Sequence, residues 1–305
     1  MAEEITARQI RGNTWGLFLP RMVVPYCHLT QKEIILLDSG CLTHGEVEQF
    51  LADRGLRVRA ILTTHAHWDH IAAHAGLQRR DGAQIWMPKQ EAALQATELG
   101  RLTVNPNGNY EAMRRFYQRF PYRVDEEIGL EDGTVTVCGM PFSVLQTPGH
   151  SLGHVCYITP DDVLYAGDAL MTDTELRQTK LSYAVSFEVD LQSKEKLRHC
   201  SCSAYVAAHA GVEQELGPLI DRNIDYIRRR TEEVWRLIRR PMSMEEIQRM
   251  LWRHFSLRPG SYYKNLGSGN MLRALVQYLV STGRLECRYD EGVDYYARTK
   301  QQEGS

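Results

Sequence analysis

Three histidines and an aspartate stand within a short stretch, LTTHAHWDH at residues 62–70: His65, His67, Asp69 and His70. The chain has 11 histidines in 305 residues, so this stretch is dense in imidazole. Imidazoles and a carboxylate in one loop repel one another or stay desolvated unless a positive charge lies among them. Divalent ions such as Zn²⁺ take imidazole nitrogen and carboxylate oxygen as ligands. The stretch therefore predicts a metal site.

Three further segments place a ligand residue directly after a strand-like run. TPGHSLGH offers His150, LYAGDAL offers Asp168 and VAAHAG offers His209. Short apolar runs that end in turn residues are typical of buried strands, so these side chains belong at strand ends. A carboxylate such as Asp168 can bridge two ions, which suits a two-metal hydrolytic site.

In this set and order, the residues resemble the metallo-β-lactamase-fold hydrolases, also called the glyoxalase II-like superfamily. The resemblance covers residues 10–215, and LLDSG around Asp38 is a further family landmark. It implies that one group of side chains holds a first metal: His65, His67 and His150. It implies that a second group holds a second metal: Asp69, His70 and His209. Asp168 would lie between the two metals.

The same resemblance implies two divalent ions, with zinc as the default and iron or manganese as alternatives for these ligands. Two cations lower the pKa of a shared water from 15.7 toward about 7, so a bridging hydroxide forms at neutral pH. That hydroxide attacks an electrophilic carbonyl or phosphorus, and Asp69 would orient it and shuttle its proton. Asp38 is expected to hydrogen-bond a ligand histidine or a loop from behind.

Two tyrosines and two further histidines lie near these motifs. Tyr110 and Tyr183 are in segments that could border the cleft, where a hydroxyl could bind substrate by donating to an oxyanion; packing is the alternative for both. His74 and His154 each follow a predicted ligand histidine by four residues and are expected to be ordinary packed or exposed side chains.

The elements that must position these residues alternate along the first 215 residues. EIILLDSG, VRAILTT and AQIWMP are predicted strands, and EVEQFLADRGL, IAAHAGLQRRDG and QEAALQATEL are predicted helices. Strands and helices that interleave in this way indicate a layered α/β structure. Together with the resemblance, this predicts a four-layer αββα metallo-β-lactamase sandwich as a catalytic domain at residues 1–217.

The pattern changes in residues 218–305. IDRNIDYIRRRTEEVWRLIRR is a long basic amphipathic helix, SMEEIQRMLWRHF a second helix with a capping serine, and GSGNMLRALVQYLVSTGRLE a third. RLECRYDEGVDYYAR reads as two short strands around a turn. We therefore predict a C-terminal helical, winged-helix-like module. The aromatic residues of SYYKNLGSGNML are candidates to face the cleft or a second copy in a homodimer.

Composition and charge restrict the class of protein and the cellular location that we expect. The formal net charge of −2 excludes a strongly basic nucleic-acid binder overall. No stretch approaches the roughly 18 apolar residues of a membrane span, and the acidic MAEEITARQI does not resemble a secretory signal. Seven scattered cysteines are typical of reduced thiols, so we expect a cytoplasmic protein with no membrane partner.

Three functions remain in competition at this stage. Hydrolysis of a small acyl compound, such as a thioester, ester or lactone, is favoured by the 18-residue spacing between His150 and Asp168. A phosphodiesterase or nuclease would give a purpose to the basic clusters at residues 228–230 and 239–240, although the module's excess of positive charge is modest. A non-catalytic binding or regulatory role is the third, and the complete ligand set argues against it.

Overall fold

Seven strands form the first sheet of the computed structural model, which describes residues 5–97, 100, 111, 121–209, 211–258, 260 and 262–299. The strands lie side by side in chain order: β1 (Thr6–Arg11), β2 (Thr14–Leu19), β3 (Met22–His28), β4 (Glu33–Leu37), β5 (Arg57–Leu62), β6 (Gln84–Pro88) and β7 (Glu126–Ile128). Pairing is antiparallel from β1 to β4 and parallel from β4 to β7. The carboxyl ends of β4 and β5 consequently meet at one edge.

The second sheet has six strands in the order β13-β12-β11-β10-β9-β8. They are β8 (Gly133–Val137), β9 (Met140–Gln146), β10 (Val155–Ile158), β11 (Val163–Tyr165), β12 (Ala204–Ala207) and β13 (Gly211–Glu213). The pair β11 and β12 is parallel, while the other pairs are antiparallel. The carboxyl ends of β11 and β12 therefore also lie next to each other.

The two sheets pack face to face, and the alternation of side chains along the strands shows how. Tyr157 and Tyr165 point into the core shared with the first sheet, whereas Cys156 and Leu164 point to the opposite face. The Tyr157 hydroxyl donates to the backbone oxygen of Thr63 at 2.7 Å, which ties the sheets together. Both faces of β10 and β11 are thus buried.

Helices cover the outer faces of both sheets. On the first sheet lie α1 (Glu46–Asp53), α2 (Trp68–Ile71), α3 (His74–Asp81) and α4 (Lys89–Gln95), and after β11 come α5 (Asp173–Gln178) and α6 (Phe187–Leu197). Leu197 of α6 packs on the outer face of the second sheet with Leu164. The arrangement is helix, sheet, sheet, helix, as the sequence predicts.

One predicted helix is divided in two. IAAHAGLQRRDG was expected to be continuous, but α2 ends at Ile71 and α3 begins at His74. The amide of Ala72 donates to the Gly40 oxygen at 3.2 Å, and the amide of Ala73 donates to Ser39 Oγ at 3.1 Å. These bonds to the loop after β4 replace helical ones, and they hold the histidine-rich loop against that strand end.

The C-terminal part contains α7 (Leu216–Leu237), α8 (Met244–His254), α9 (Tyr262–Ser281) and a small sheet of β14 (Met242–Ser243), β15 (Leu285–Asp290) and β16 (Val293–Arg298). Ser243 caps α8 together with Glu246, as its sequence suggests. Three helices and a hairpin are present as predicted, while the winged-helix likeness and the division after residue 217 stay predictions. Within the described ranges, no helix has both the length and the apolar character to cross a membrane.

Helix α7 belongs to both halves of the molecule. Its first turns contribute Leu219 and Ile220 to the core under the second sheet. Further along, Ile227 and Val234 pack with α8 and α9 in a separate core. A single rigid element therefore connects the sheets to the C-terminal helices.

Candidate metal centre

Five loops at the carboxyl ends of β4, β5, β9, β11 and β12 converge on one edge of the sandwich. The loops after β5, β9, β11 and β12 bring together all seven side chains that the sequence singles out as ligands, and the loop after β4 carries Asp38. The seven are His65, His67, Asp69, His70, His150, Asp168 and His209. The parallel pairs β4–β5 and β11–β12 each place two strand ends side by side at this edge of the sandwich. Loops on a rigid scaffold are the usual location of chemistry.

The first cluster contains His65, His67, His150 and Asp168, whose ligand atoms all lie within 4.8 Å of one another. His67 Nδ1 is 2.9 Å from His65 Nε2 and 2.9 Å from His150 Nε2. Three imidazole nitrogens and one carboxylate oxygen at such distances match the donor set of a divalent transition metal.

The second cluster contains Asp69, His70 and His209. His209 Nε2 lies 3.6 Å from Asp69 Oδ2. The Oδ1 atom of Asp168 joins this cluster, since it is 3.2 Å from His70 Nε2 and 3.3 Å from His209 Nε2.

Asp168 presents one oxygen to each cluster. Its Oδ2 lies 3.3 Å from His150 Nε2 and 4.0 Å from His65 Nε2, on the side opposite to Oδ1. A single carboxylate placed in this way can be shared by two cations, and this is the geometry of two-metal sites.

Two buried polar atoms show that the donor set fits a cation. His70 Nε2 and Asp168 Oδ1 are both shielded from solvent and lie 3.2 Å apart, yet neither is in hydrogen-bond geometry with any group of the described residues. An unsatisfied buried polar atom costs about 1–3 kcal/mol, so native proteins rarely leave one without a reason. A metal ion between them would satisfy both atoms at once.

The electrostatics agree with this fit. Burial lowers the pKa of His65 and of His150 well below the ordinary histidine value, so both imidazoles are neutral, which is the form that binds metals. Burial also acts to lower the pKa of His209, but the Asp168 carboxylate outweighs it and raises that pKa to about 9. For Asp168 itself, burial would raise the pKa, yet His70 and His150 hold it well below the usual range. The centre thus favours positive charge beside an ionised carboxylate.

Asp38 supports His70 from behind. Its Oδ2 atom accepts hydrogen bonds from His70 Nδ1 and from the Tyr165 hydroxyl, both at 2.8 Å. Its Oδ1 atom accepts the amide of Thr64 at 2.7 Å. Because Nδ1 of His70 is engaged by Asp38, Nε2 is the nitrogen that faces the second cluster and could bind a metal there.

A model of the metallo-beta-lactamase superfamily matches residues 24–209, which is more than half of the chain and includes every residue of both clusters. The chain belongs to the metallo-beta-lactamase superfamily. The resemblance seen in the sequence is confirmed. Helices α7, α8 and α9 lie outside the matched segment.

Relatives of this metallo-beta-lactamase superfamily member include hydroxyacylglutathione hydrolase of Rhizobium meliloti (strain 1021), which is 36% identical over 121 residues. The match covers 39% of this chain and 37% of that enzyme. The probable metallo-hydrolase YqgX of Bacillus subtilis (strain 168) is 26% identical over 146 residues, or 48% of this chain and 64% of that protein. The chain thus spans less than two thirds of either relative.

Solved structures of similar fold cover nearly the whole of this superfamily member. A beta-lactamase domain protein from Burkholderia ambifaria has a TM-score of 0.71 at 18% identity and covers 96% of this chain and 94% of that one. A metallo-beta-lactamase family protein from Thermus thermophilus has a TM-score of 0.66 at 22% identity, over 91% and 94%. These likenesses concern the fold, and the predicted fold class is confirmed.

Sequence reasoning missed the place of His154 in this superfamily member. His154 lies beneath Asp168, where its Nε2 accepts the Asp168 amide at 3.1 Å and its Nδ1 contacts Thr147 Oγ1 at 2.8 Å. Burial lowers its pKa to about 3, so it stays neutral and keeps an acceptor for that amide. The only indication in the sequence that His154 lies near the centre was its position four residues after His150.

Glu91, which no motif singled out, links two histidine loops. Its Oε2 atom accepts the amide of Ala66, between His65 and His67, at 3.0 Å. Its Oε1 atom accepts hydrogen bonds from Ser151 Oγ at 2.8 Å and from the amide of Gly153 at 2.9 Å, one and three residues after His150. The carboxylate is 2% exposed, so all three bonds form away from water. Helix α4 thereby holds both sides of the first cluster.

Tyr183 lies at the mouth of the centre. Its ring centroid is 5.4 Å from that of His67 and 5.3 Å from that of His150. The tyrosine lines two cavities, of about 420 Å³ on the His67 side and about 230 Å³ on the His209 side. Tyr110 falls outside the described residues, so its predicted place at the cleft stays a prediction.

Proposed function

We propose that this protein is a hydrolase of small acyl compounds, a thioester, ester or lactone, that depends on two divalent metal ions, with zinc as the default metal. The observation that carries the proposal is the position of Asp168, whose two carboxylate oxygens each face a different cluster of ligand atoms. The printed name of the Rhizobium relative, a hydroxyacylglutathione hydrolase, supports an acyl substrate.

In this proposal each converging side chain has a defined role. His65, His67 and His150 would hold the first metal, Asp69, His70 and His209 would hold the second, and Asp168 could serve both. When bound, two such cations lower the pKa of a water molecule to near neutrality and polarise the substrate carbonyl.

The protein's own groups orient the reactants. Asp69 lies at the open side of the second cluster, where its carboxylate can hold the attacking water and accept its proton. Asp38 fixes the tautomer and direction of His70. Tyr183 stands between the two cavities, where its hydroxyl can donate to the oxygen of the scissile carbonyl. Water adds to that carbonyl, the bond to sulfur or oxygen breaks, and a carboxylic acid leaves with a thiol or alcohol.

The charge pattern of the C-terminal helices supports an acyl substrate over nucleic acid. Two arginines on α7 are paired closely within the protein: Arg236 Nε lies 2.8 Å from Glu232, and Arg230 lies 2.9 Å from Glu233. Cations engaged in this way contribute less to phosphate binding than free ones. The cavity of about 840 Å³ beside these residues also contains both glutamates.

A hydrolysis panel on metal-reconstituted protein tests the proposal. The panel contains acyl-CoA and glutathione thioesters, a homoserine lactone, a β-lactam and bis-p-nitrophenyl phosphate. We expect turnover of thioesters or lactones, and a loss of about a hundredfold or more in kcat with Asp69→Ala, because that variant removes both a ligand and the proton acceptor. The control is Asp53→Ala, an exposed aspartate at the end of α1.

Two outcomes would contradict the proposal. Turnover of the phosphodiester alone would indicate a nuclease, and fewer than about one metal ion per chain with no turnover at all would reject the metal centre itself.

A further inference from the structure

The hairpin of β15 and β16 has an open sheet edge. In the small sheet the strand order is β14-β16-β15, so β15 pairs with β16 on one side. Among the residues that the structure describes, no strand pairs with its other side. Cys287, Arg288, Tyr289 and Asp290 are all exposed, and 76% of the Tyr289 surface faces solvent. The outer amides and carbonyls of β15 are therefore open to another strand.

The hairpin holds this edge in one conformation. Every residue of β15 pairs with a residue of β16, and no bulge interrupts the pairing. Glu291 and Gly292 in the turn both have positive φ, of 44° and 85°, as in the turn type that fits the twist of a hairpin. Leu285 and Tyr296 anchor the two strands in the core that α8 and α9 share. A partner strand would therefore meet an edge that is already ordered.

The charges of β15 complement those of an antiparallel copy of the same strand. The segment RLECRYD has Cys287 at its centre. When two such strands pair antiparallel about Cys287, Glu286 of each copy lies opposite Arg288 of the other. The pair occurs twice because the dimer has a two-fold axis. Arg284 and Asp290 would also lie opposite each other, although Arg284 precedes the strand and already has an ion pair within the chain.

The neighbouring two-fold registers place like charges opposite each other. A centre at Arg288 would bring two Arg288 side chains together and set Glu286 against Asp290. A centre at Glu286 would bring two Glu286 side chains together. Like charges directly opposite destabilise a strand pair, whereas opposite charges stabilise it. Within one chain Arg288 already bonds Glu286, so the register about Cys287 forms a cluster of four charges that alternate in sign.

The other face of the strand also suits a second copy. Leu285, Cys287 and Tyr289 alternate with the charged residues and so share the opposite face of β15. In the register about Cys287, Leu285 of one copy lies opposite Tyr289 of the other. The exposed Tyr289 ring would then lose contact with water against an apolar neighbour, which favours association.

The two outer strands of the first sheet lack this property. The charged residues of β1 are Arg8 and Arg11, and those of β7 are Glu126 and Glu127. Each of these edges carries charge of one sign, so a second copy of the same strand would be repelled in any register. Self-complementary charge is thus a property of β15 and not of these two edges.

We propose that β15 is a dimerisation edge, at which two copies of the chain pair antiparallel about Cys287 and join their small sheets into one continuous sheet. The partner is a second copy because the strand complements its own charge pattern. A single strand pair buries less than the standard interface of about 1,600 Å², so we expect a weak dimer with a Kd of about 10–100 µM. The edge lies outside residues 24–209, and the proposal does not depend on hydrolase activity.

Charge reversal at two positions tests the proposal. Glu286→Arg and Arg288→Glu should each raise the Kd of the dimer by about tenfold or more, because each change turns two attractive pairs into two repulsive ones. An equimolar mixture of the two variants should form a heterodimer, since every position 286 then faces the opposite charge at position 288. The double variant should recover the Kd of the unchanged protein. Sedimentation equilibrium over about 5–500 µM measures these constants.

Oxidative cross-linking tests the register. Residues directly opposite in an antiparallel pair have Cα atoms about 4.5 or 5.5 Å apart, which is within the range of a disulfide. With diamide as the oxidant, the two Cys287 thiols should lose two protons and two electrons to diamide and form one S–S bond between the copies. Cys287→Ser should abolish this cross-link. Cys138→Ser, which removes another exposed cysteine, should leave it unchanged.

A charge-matched control and the opposing outcomes complete the test. Arg79→Glu changes the charge equally at an exposed position on α3 and should leave the Kd unchanged. A protein that stays monomeric up to about 500 µM would overturn the proposal. So would equal Kd values for Arg288→Glu and Arg79→Glu, or a mixture of the two reversed variants that does not dimerise although circular dichroism shows both to be folded. A diamide cross-link that survives Cys287→Ser would reject the register.

Discussion

Glu91 and Asp38 are buried carboxylates that hold histidine loops, and neither is a proposed metal ligand. Asp38 acts on a side chain, since it accepts from His70 Nδ1. Glu91 acts on backbone, since it accepts the amides of Ala66 and Gly153 from two loops. Groups of this kind set ligand direction, and their removal usually weakens metal binding by about 10–100-fold.

Glu91→Gln should therefore weaken metal binding by about tenfold. An amide nitrogen cannot accept a hydrogen bond, so at least one of the three donors around residue 91 would face another donor. We expect a free energy of unfolding lower by about 1–3 kcal/mol as well. Competition with a chromophoric chelator measures the metal affinity, and urea unfolding measures stability.

The matched control is Glu188→Gln, an exposed glutamate in the first turn of α6. If Glu91→Gln bound metal as tightly as this control, the link between the two loops would have no influence on the site.

Residue types and spacing were sufficient to select the seven converging side chains, because every one follows a strand-like run or opens the next helix. Glu91 could not be selected in the same way. Its partners Ala66 and Gly153 contribute only backbone amides, which leave no trace in residue type. His154 carried a weak signal in its spacing from His150, but nothing in the sequence indicated that it accepts the amide of Asp168.

At the scale of elements, the alternating strands and helices were predictable, and β4, β5 and β6 lie where the sequence places them. Strands β1, β2 and β3 were not predicted. Pro25 in the middle of β3 argues against a central strand, since proline has no amide to donate. The structure accommodates it because Pro25 pairs with Gly16 of β2, while the section paired with β4 begins one residue later, at Tyr26.

The loop after β9 approaches α4 so closely that a side chain does not fit at residue 153. A Cβ atom on Gly153 would lie 2.8 Å from Cγ and 3.0 Å from Oε1 of Glu91. Gly153→Ala should therefore push the loop and α4 apart and lower the free energy of unfolding by about 1–3 kcal/mol. Chemical denaturation of the metal-free protein would measure this directly.

Gly133→Ala supplies the control for that prediction. No atom of the described residues lies within 4 Å of a Cβ atom at this position in β8, and its φ is not in the left-handed region. If Gly153→Ala had the same free energy of unfolding as Gly133→Ala, the contact between residue 153 and Glu91 would relax without loss of stability, and the prediction would be wrong.

At the scale of the whole molecule, the segment that the superfamily model matches does not include all the residues that line the cleft. Residues 24–209 contain both clusters of ligand atoms, whereas Arg273 and Met271, which line the two cavities, lie beyond them. The sequence predicted the extra helices but not which of their faces meets the centre. That depends on the angle at which α9 packs against α6 and α7, which the hydrophobic pattern of a helix does not specify.

Metal removal should lower the thermal stability of the entire protein. A ligand at a thousand times its Kd stabilises the native state by about 4.1 kcal/mol, and for a protein of this size that corresponds to about 5–10 °C in Tm. We expect a chelator to lower Tm by this amount and zinc to restore it. An unchanged Tm, measured by calorimetry with and without chelator, would contradict a centre that binds metal in the native state.

Helix α7 packs in two separate cores, and this has a consequence for how the chain folds as the ribosome makes it. Translation delivers His209 shortly before α7, so all seven ligand side chains have been made while the helix that covers Leu164 and Tyr205 is still emerging. The outer face of the second sheet must wait for Leu219 and Ile220, and the wall of the cleft waits longer, for α9. The nascent chain therefore holds every candidate ligand side chain before the C-terminal wall of the cleft has been made.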